Sequence, residues 1–219
     1  MIKAVIFDWS GVLSDDWEAT VQTSNDVLEA HGHPRLDRET FRELYELPWM
    51  NFYKKLDVKI DMEEEYRLWE KFFPKYYNLL KPFEQAKTVL EQLKEKNVKT
   101  MIFSAHNEQL LLEEIENYGF SGLIGSVKAS IPDKRDEIEA LVSKHEIDRD
   151  STIYVGDMCH DVETARLAGI KSVAVLSGYD SREKLEKENP DYIIEHVGEL
   201  PALMEQMEAE ENARVATNS

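Results

Sequence analysis

The chain is short of cysteine, of positive charge and of long apolar runs, and each shortage removes a class of protein. Its one cysteine, Cys159, allows no internal disulfide and no cysteine-built zinc site, which fits a reducing compartment. Lysine and arginine number 26 against 44 aspartates and glutamates, a formal net charge of −18. A field of that sign repels phosphate backbones and anionic lipid, so nucleic acid and membrane surfaces are poor partners. A small anion would be held only where a metal ion or fixed donors reverse the local potential. The opening run Ala4-Val5-Ile6-Phe7 stops at Asp8, too short for a signal-peptide core or a membrane span, and the expected location is the cytoplasm. No repeat or low-complexity tract occurs. What is present, 219 residues that are 42% hydrophobic and 32% charged, suits a soluble globular protein of one domain plus an insertion.

Short continuous apolar runs read as strands buried on both faces: residues 4–7, 100–103, 152–155 and 172–176, with a weaker one at 192–194. Helical periods separate them. Ala86, Val89, Leu90 and Leu93 fall at i, i+3, i+4 and i+7, and Leu200, Leu203, Met204 and Met207 do the same. Strands alternating with helices predict an α/β protein, a Rossmann-like, doubly wound parallel sheet. Residues 14–81 break the alternation. They hold no strand-like run, and Trp17, Val21, Ser24 and Leu28 share one helical face while Tyr66, Trp69, Phe73, Tyr76 and Leu80 share another, as in a small helical core. Glu63-Glu64-Glu65 reads as a solvated helix start. The expected organisation is a core of 1–13 with 82–208, an inserted α-helical cap at 14–81, and a fraying tail at 209–219.

In an open parallel sheet, sites form beyond the carboxyl ends of the strands, and polar residues collect there. The first strand delivers Asp8-Trp9-Ser10-Gly11, the second Ser104-Ala105-His106-Asn107, a later loop Lys134, and another strand Gly156-Asp157 with Asp161 four residues on. Singly, each has a plain explanation as a cap, a turn or a surface residue. Jointly they supply carboxylates for a hard divalent cation, a nucleophile, a hydroxyl with backbone donors for an oxyanion, and a lysine to neutralise charge.

These stretches, VIFDWSGVL, IFSAHN, Lys134 and YVGDMCHDVETARLAG, resemble in order the four motifs of the haloacid dehalogenase superfamily. Lys128 competes with Lys134 for the third. The insertion resembles the family's C1 cap, and the stretch GYDSREKLEKENPDYIIEHVGELPALM resembles phosphoglycolate-phosphatase-like members. The resemblance implies a magnesium-dependent phosphatase acting on a small phosphorylated metabolite as monomer or homodimer. Asp8 would attack phosphorus to form an aspartyl-phosphate. Asp8, Asp157 and the carbonyl of Ser10 would hold the metal, with Asp161 in or beside its outer shell. Ser104 and the backbone N–H groups near Trp9 and Ala105 would bind the phosphoryl oxygens together with Lys134.

The first motif also departs from the family. Its phosphatases usually read D-x-D, the second aspartate serving as acid and base, and here that position is Ser10, whose hydroxyl does not titrate near neutrality. The chain could be a slow phosphatase, or could borrow an acid from Asp15, Asp16, His31 or His33. Phosphonoacetaldehyde hydrolase resembles the DWSG stretch and uses a Schiff-base lysine in its cap, for which Lys54 and Lys55 are candidates. Haloacid dehalogenation ranks below both, and a binding module that has lost turnover is a reading of another class. His106 and Cys159 lie on site loops without a matching family role. Trp9 and Trp49 are candidates to line the pocket, and Trp49 is the better placed of the two.

Overall fold

The structure, a computed structural model, describes residues 1–217. In chain order it comprises β1 (Ala4–Phe7), β2 (Ser14–Asp15), α1 (Trp17–Ala30), α2 (Arg38–Leu44), α3 (Met50–Lys55), α4 (Met62–Phe72), a 3-10 stretch (Phe73–Leu79) and β3 (Lys81–Pro82). It continues with α5 (Ala86–Glu95), β4 (Lys99–Phe103), α6 (Glu108–Asn117), β5 (Ser126–Lys128), α7 (Lys134–Lys144), β6 (Thr152–Gly156) and α8 (Cys159–Leu167). β7 (Lys171–Val175), α9 (Arg182–Lys187), β8 (Tyr192–Ile194) and α10 (Leu200–Thr217) complete it.

Six strands form one sheet in the order β5-β4-β1-β6-β7-β8, and every pair is parallel. The apolar runs become strands because both of their faces are covered. Val5, Phe7, Ile102, Ile153 and Val155 pack with Leu90, Leu93, Leu111 and Leu200 on one side. Ala4, Ile6, Met101, Phe103 and Tyr154 pack with Ile138, Leu141 and Ala165 on the other. Neighbouring residues of one strand thus serve opposite layers, as the period of two requires. Truncating a fully buried side chain such as Leu90 to alanine is worth about 2–5 kcal/mol. Helix ends follow local chemistry: Asn107 accepts from the Leu110 N–H at 3.1 Å to start α6, and Gly119 and Gly169 sit just past helices at φ +68° and +63°.

Three expectations are corrected. Residues 14–81 are not free of strand, because β2 and β3 pair antiparallel, Ser14 with Pro82 and Asp15 with Lys81, and tie the two ends of the helical insert together. Residues 209–217 are helical rather than frayed. They contain no glycine or proline, and Gln206 and Glu210 add an i,i+4 bond of 2.9 Å across that boundary; the last two residues of the expected tail lie outside the described residues. Finally, Glu65 is not a solvated residue of a helix start: it is 4% exposed and shares the inner face of α4 with Leu68 and Phe72.

Candidate active site

The carboxyl ends of β1, β4 and β6 converge. Asp8 continues β1 for one more ladder bond, its N–H donating to Val155 O at 2.9 Å, and its side chain leaves the sheet beside Lys134. The Lys134 ammonium, wholly buried, donates to Asp8 Oδ2 at 2.8 Å and to Asp161 Oδ1 at 2.5 Å. Burial works against its charge, but Asp161 and Asp8 hold its pKa well above the ordinary lysine range, so it is a fixed cation. Asp161 is locked by further donors: the Asp157 and Met158 N–H groups reach Oδ2 at 3.2 and 3.1 Å, and the Tyr154 hydroxyl reaches Oδ1 at 3.2 Å. Lys128 points elsewhere, onto Glu137 at 2.5 Å.

Asp8, Asp157 and Asp161 are buried with ligand atoms all within 4.8 Å of one another. With all three ionised, the carboxylates against one ammonium would leave two negative charges in a place that water screens poorly. Asp157 Oδ2 accepts the Tyr179 N–H at 2.7 Å, yet its buried Oδ1 has no hydrogen-bond partner. Burial first, then Asp161 and Asp8, push the Asp157 carboxyl well above the usual range. A Cβ on Gly11 or Gly178 would collide with this carboxylate, so glycine at both positions leaves room for it. An orphaned oxygen, all-oxygen donors and a double negative charge fit a hard divalent cation.

Ser10 and Asp16 form the second part of the site. The Ser10 hydroxyl donates to Asp16 Oδ2 at 2.6 Å, and the Tyr179 hydroxyl donates to Oδ1 at 2.9 Å. Asp16 begins α1, but its side chain does not cap that helix. It is 1% exposed, and burial pushes its pKa up to about 6 against the pull of His106 and Ser10. Ser104, on β4's carboxyl end, is also buried; its oxygen accepts the His106 N–H at 3.2 Å.

These groups open onto a cavity of about 100 Å³ whose wall includes Asp8, Ser10, Asp16, Ser104, Ala105 and Asp157. Trp49 and His106 line it as well. Trp9 does not: its backbone N–H stays by Asp8, donating to Oδ1 at 2.7 Å, while its ring turns into the core, stacks on Tyr118 and donates to Glu114 at 2.7 Å. Alternation along the chain past β1 sends that side chain into the layer of Val5 and Phe7. Other sequence candidates also lie apart. Asp15 pairs with Lys81 and His31 with Glu64, while His33 bonds its own neighbour Pro34. Lys54 and Lys55 are exposed and bonded to Asn51 and Glu46, which removes the basis for a Schiff-base lysine. Burial and Asp180 push the Cys159 thiol up to about 12, too high for a nucleophile at neutral pH.

Three features escape the motif reading. Tyr179, after β7, holds both Asp157 and Asp16. Glu114, on α6, accepts from Trp9 and Ser14 and pairs with His106 at 3.0 Å. Burial opposes charge in that pair, but each partner stabilises the other: His106 lies above its ordinary range and Glu114 below. Glu65 faces the cavity from α4. The spacing of Glu65 to Leu68 and Phe72, i to i+3 and i+7, was the available signal for that placement.

Known proteins resemble the whole chain. A phosphoglycolate phosphatase of Neisseria gonorrhoeae is 29% identical, covering 96% of this chain and 95% of its own. A phosphoglycolate phosphatase of Synechococcus elongatus is 26% identical over 91% and 95%. A pyrophosphatase PpaX of Halalkalibacterium halodurans is 20% identical over 91% and 95%. Among solved structures, a hydrolase from Pseudomonas syringae superposes with a TM-score of 0.79 at 19% identity, over 93% of this chain and 98% of that one, and carries the same fold. The family profile described as haloacid dehalogenase-like hydrolase matches residues 5–175, from β1 through β7, and the chain belongs to that family.

Proposed function

We propose that the protein is a magnesium-dependent phosphatase that hydrolyses a small phosphomonoester through an aspartyl-phosphate on Asp8. The observation that carries this reading is Asp8 itself, a buried carboxylate at the cavity wall held against Lys134 beside two further carboxylates. Relatives named as phosphoglycolate phosphatases and pyrophosphatases support hydrolysis of a phosphoryl compound.

Asp8, Asp157, the Ser10 carbonyl and, through its outer shell, Asp161 would hold the magnesium. When bound, the ion supplies charge neutralisation between the carboxylate nucleophile and the phosphoryl group. Lys134 adds a second fixed cation at Asp8, and Ser104 with the N–H groups of Trp9 and Ala105 would steady the phosphoryl oxygens. An Asp8 oxygen then forms a bond to phosphorus as the bond to the leaving oxygen breaks. Asp16 protonates that oxygen. Water next attacks the phosphorus of the aspartyl-phosphate, Asp16 takes its proton, and phosphate leaves with Asp8 regenerated. Asp16 thus fills the acid and base role that Ser10 cannot, and Ser10 becomes the hydroxyl that positions it. Residues 14–81 act as a cap over the core of 1–13 and 82–208, with the β2–β3 ribbon as its base and Trp49 among its contributions to the substrate wall.

The test is phosphate release from p-nitrophenyl phosphate and alkyl phosphomonoesters, with magnesium and then with EDTA. Turnover is expected only with the metal, and Asp8→Asn abolishes it. Absence of release from every ester in the presence of magnesium overturns the reading.

A further inference from the structure

The helical insert contributes a wall to the cavity whose chemistry differs from a site for a second anion. Trp49, Tyr53, Tyr66 and Trp69 present aromatic side chains there, and Glu65 stands among them. Its Oε2 accepts from the Trp49 indole at 3.1 Å and its Oε1 from the Tyr53 hydroxyl at 3.4 Å, both neutral donors. A carboxylate offers about four acceptor positions, so this buried group retains capacity for a further donor. Burial pushes its pKa up to about 7, and no cation is among the groups that act on it. Among the described residues, the cavity wall carries no lysine or arginine; its one basic side chain, His106, is spent on Glu114 at 3.0 Å. Glu70 adds another acidic residue to the same wall.

A leaving group bearing a carboxylate or a second phosphoryl would face Glu65 without a neutralising partner, which a poorly solvated wall disfavours. An ammonium meets the opposite conditions: it neutralises Glu65, donates to its spare lone pairs, and lies within a wall of aromatic side chains. We propose that the leaving group of the substrate carries an amine, and that this amine sits on Glu65 within the wall formed by Trp49, Tyr53 and Tyr66. The substrate class is then a phosphomonoester of a small amino alcohol rather than phosphoglycolate or pyrophosphate. This rests on the phosphatase reading above.

Steady-state kinetics of the magnesium-loaded protein on phosphoethanolamine, glycerol 3-phosphate and phosphoglycolate test it, with p-nitrophenyl phosphate as the control for the phosphatase reading. The wild type is expected to favour phosphoethanolamine over both others by tenfold or more in kcat/KM. Glu65→Gln is expected to collapse that ratio, a comparison within one variant that a general loss of activity does not move. A wild-type preference for glycerol 3-phosphate or phosphoglycolate overturns the proposal, as does an unchanged ratio in Glu65→Gln. If p-nitrophenyl phosphate is not turned over, the phosphatase reading fails separately. Tryptophan fluorescence titration of Asp8→Asn with phosphoethanolamine and phosphoglycolate then still decides the ammonium site, tighter binding of the former supporting it and equal or weaker binding overturning it.

Discussion

The Ser10 hydroxyl donates to the Asp16 carboxylate across 2.6 Å, so the position two residues past Asp8 and the first residue before α1 act as one unit. If Asp16 delivers the proton, its importance scales with how badly the leaving oxygen needs one. Asp16→Asn is expected to lower kcat by about 10²–10⁴ on alkyl phosphates and far less on p-nitrophenyl phosphate, whose leaving group is stable as an anion. Ser10→Asp introduced into that variant should restore part of the alkyl activity. The measurement is kcat against leaving-group pKa for the three proteins, and equal losses across the series would assign Asp16 to structure alone.

Lys134 and Lys128 separate by environment. Lys134 is wholly buried between two carboxylates, while the Lys128–Glu137 pair is partly exposed. Lys134→Met leaves both carboxylates uncompensated, and breaking such a buried arrangement costs about 3–5 kcal/mol. Lys128→Met is expected to cost less than about 1 kcal/mol. Urea denaturation of the metal-free proteins checks the difference, and turnover should vanish only in Lys134→Met.

The layered sheet was legible because apolar runs buried on both faces need no tertiary information to be recognised, and β1 and β8 fall where those runs lie. β5, three residues of mixed character, and the two-residue β2 and β3 carry no such run; they pair because their neighbours place them, which a local pattern does not encode. The motif residues Asp8, Ser104 and Asp157 could be read because they directly follow apolar strands, and Lys134 and Asp161 because they lie in the first turns of the helices that come after. Of the groups that make this cavity its own, Asp16 was one of four acid candidates and Glu65 was not a candidate at all. Asp16 sits beside Asp15 in an acidic pair that looks solvated, and only the turn back of its side chain onto Ser10 and Tyr179 distinguishes it. Trp9 misled in the opposite sense, because its backbone N–H stays beside Asp8 while its ring packs in the core.

The unpartnered Asp157 Oδ1 makes a prediction about metal and stability together. An ion that binds the folded state alone stabilises it by about 2.7 kcal/mol at a hundred times its Kd. Magnesium should therefore raise the melting temperature of the wild type, and EDTA should reverse the rise. Asp157→Asn should lose the response, while its metal-free form melts no lower than the wild type, because one of three crowded carboxylates is gone. A magnesium response that survives in Asp157→Asn would place the ion elsewhere.

Glu65 gives the protein a pH dependence whose sign follows from its burial. Its carboxyl rises from an ordinary 4.5 to about 7 in the folded chain, first through desolvation and against the donors Trp49 and Tyr53. Between those values the folded state keeps a proton that the unfolded state has released, so stability falls as pH rises through the window. A rise of that size corresponds to roughly 3 kcal/mol, fully lost above pH 7. Asp16, raised to about 6 by burial, contributes a slope of the same sign, so the wild type should retain part of the trend when Glu65 is neutralised. Urea denaturation of the metal-free wild type and Glu65→Gln at pH 4.5 and pH 8 isolates the share of Glu65. The variant should lose less stability over that interval, and parallel losses in the two proteins would show that Glu65 is not the group whose burial is strained.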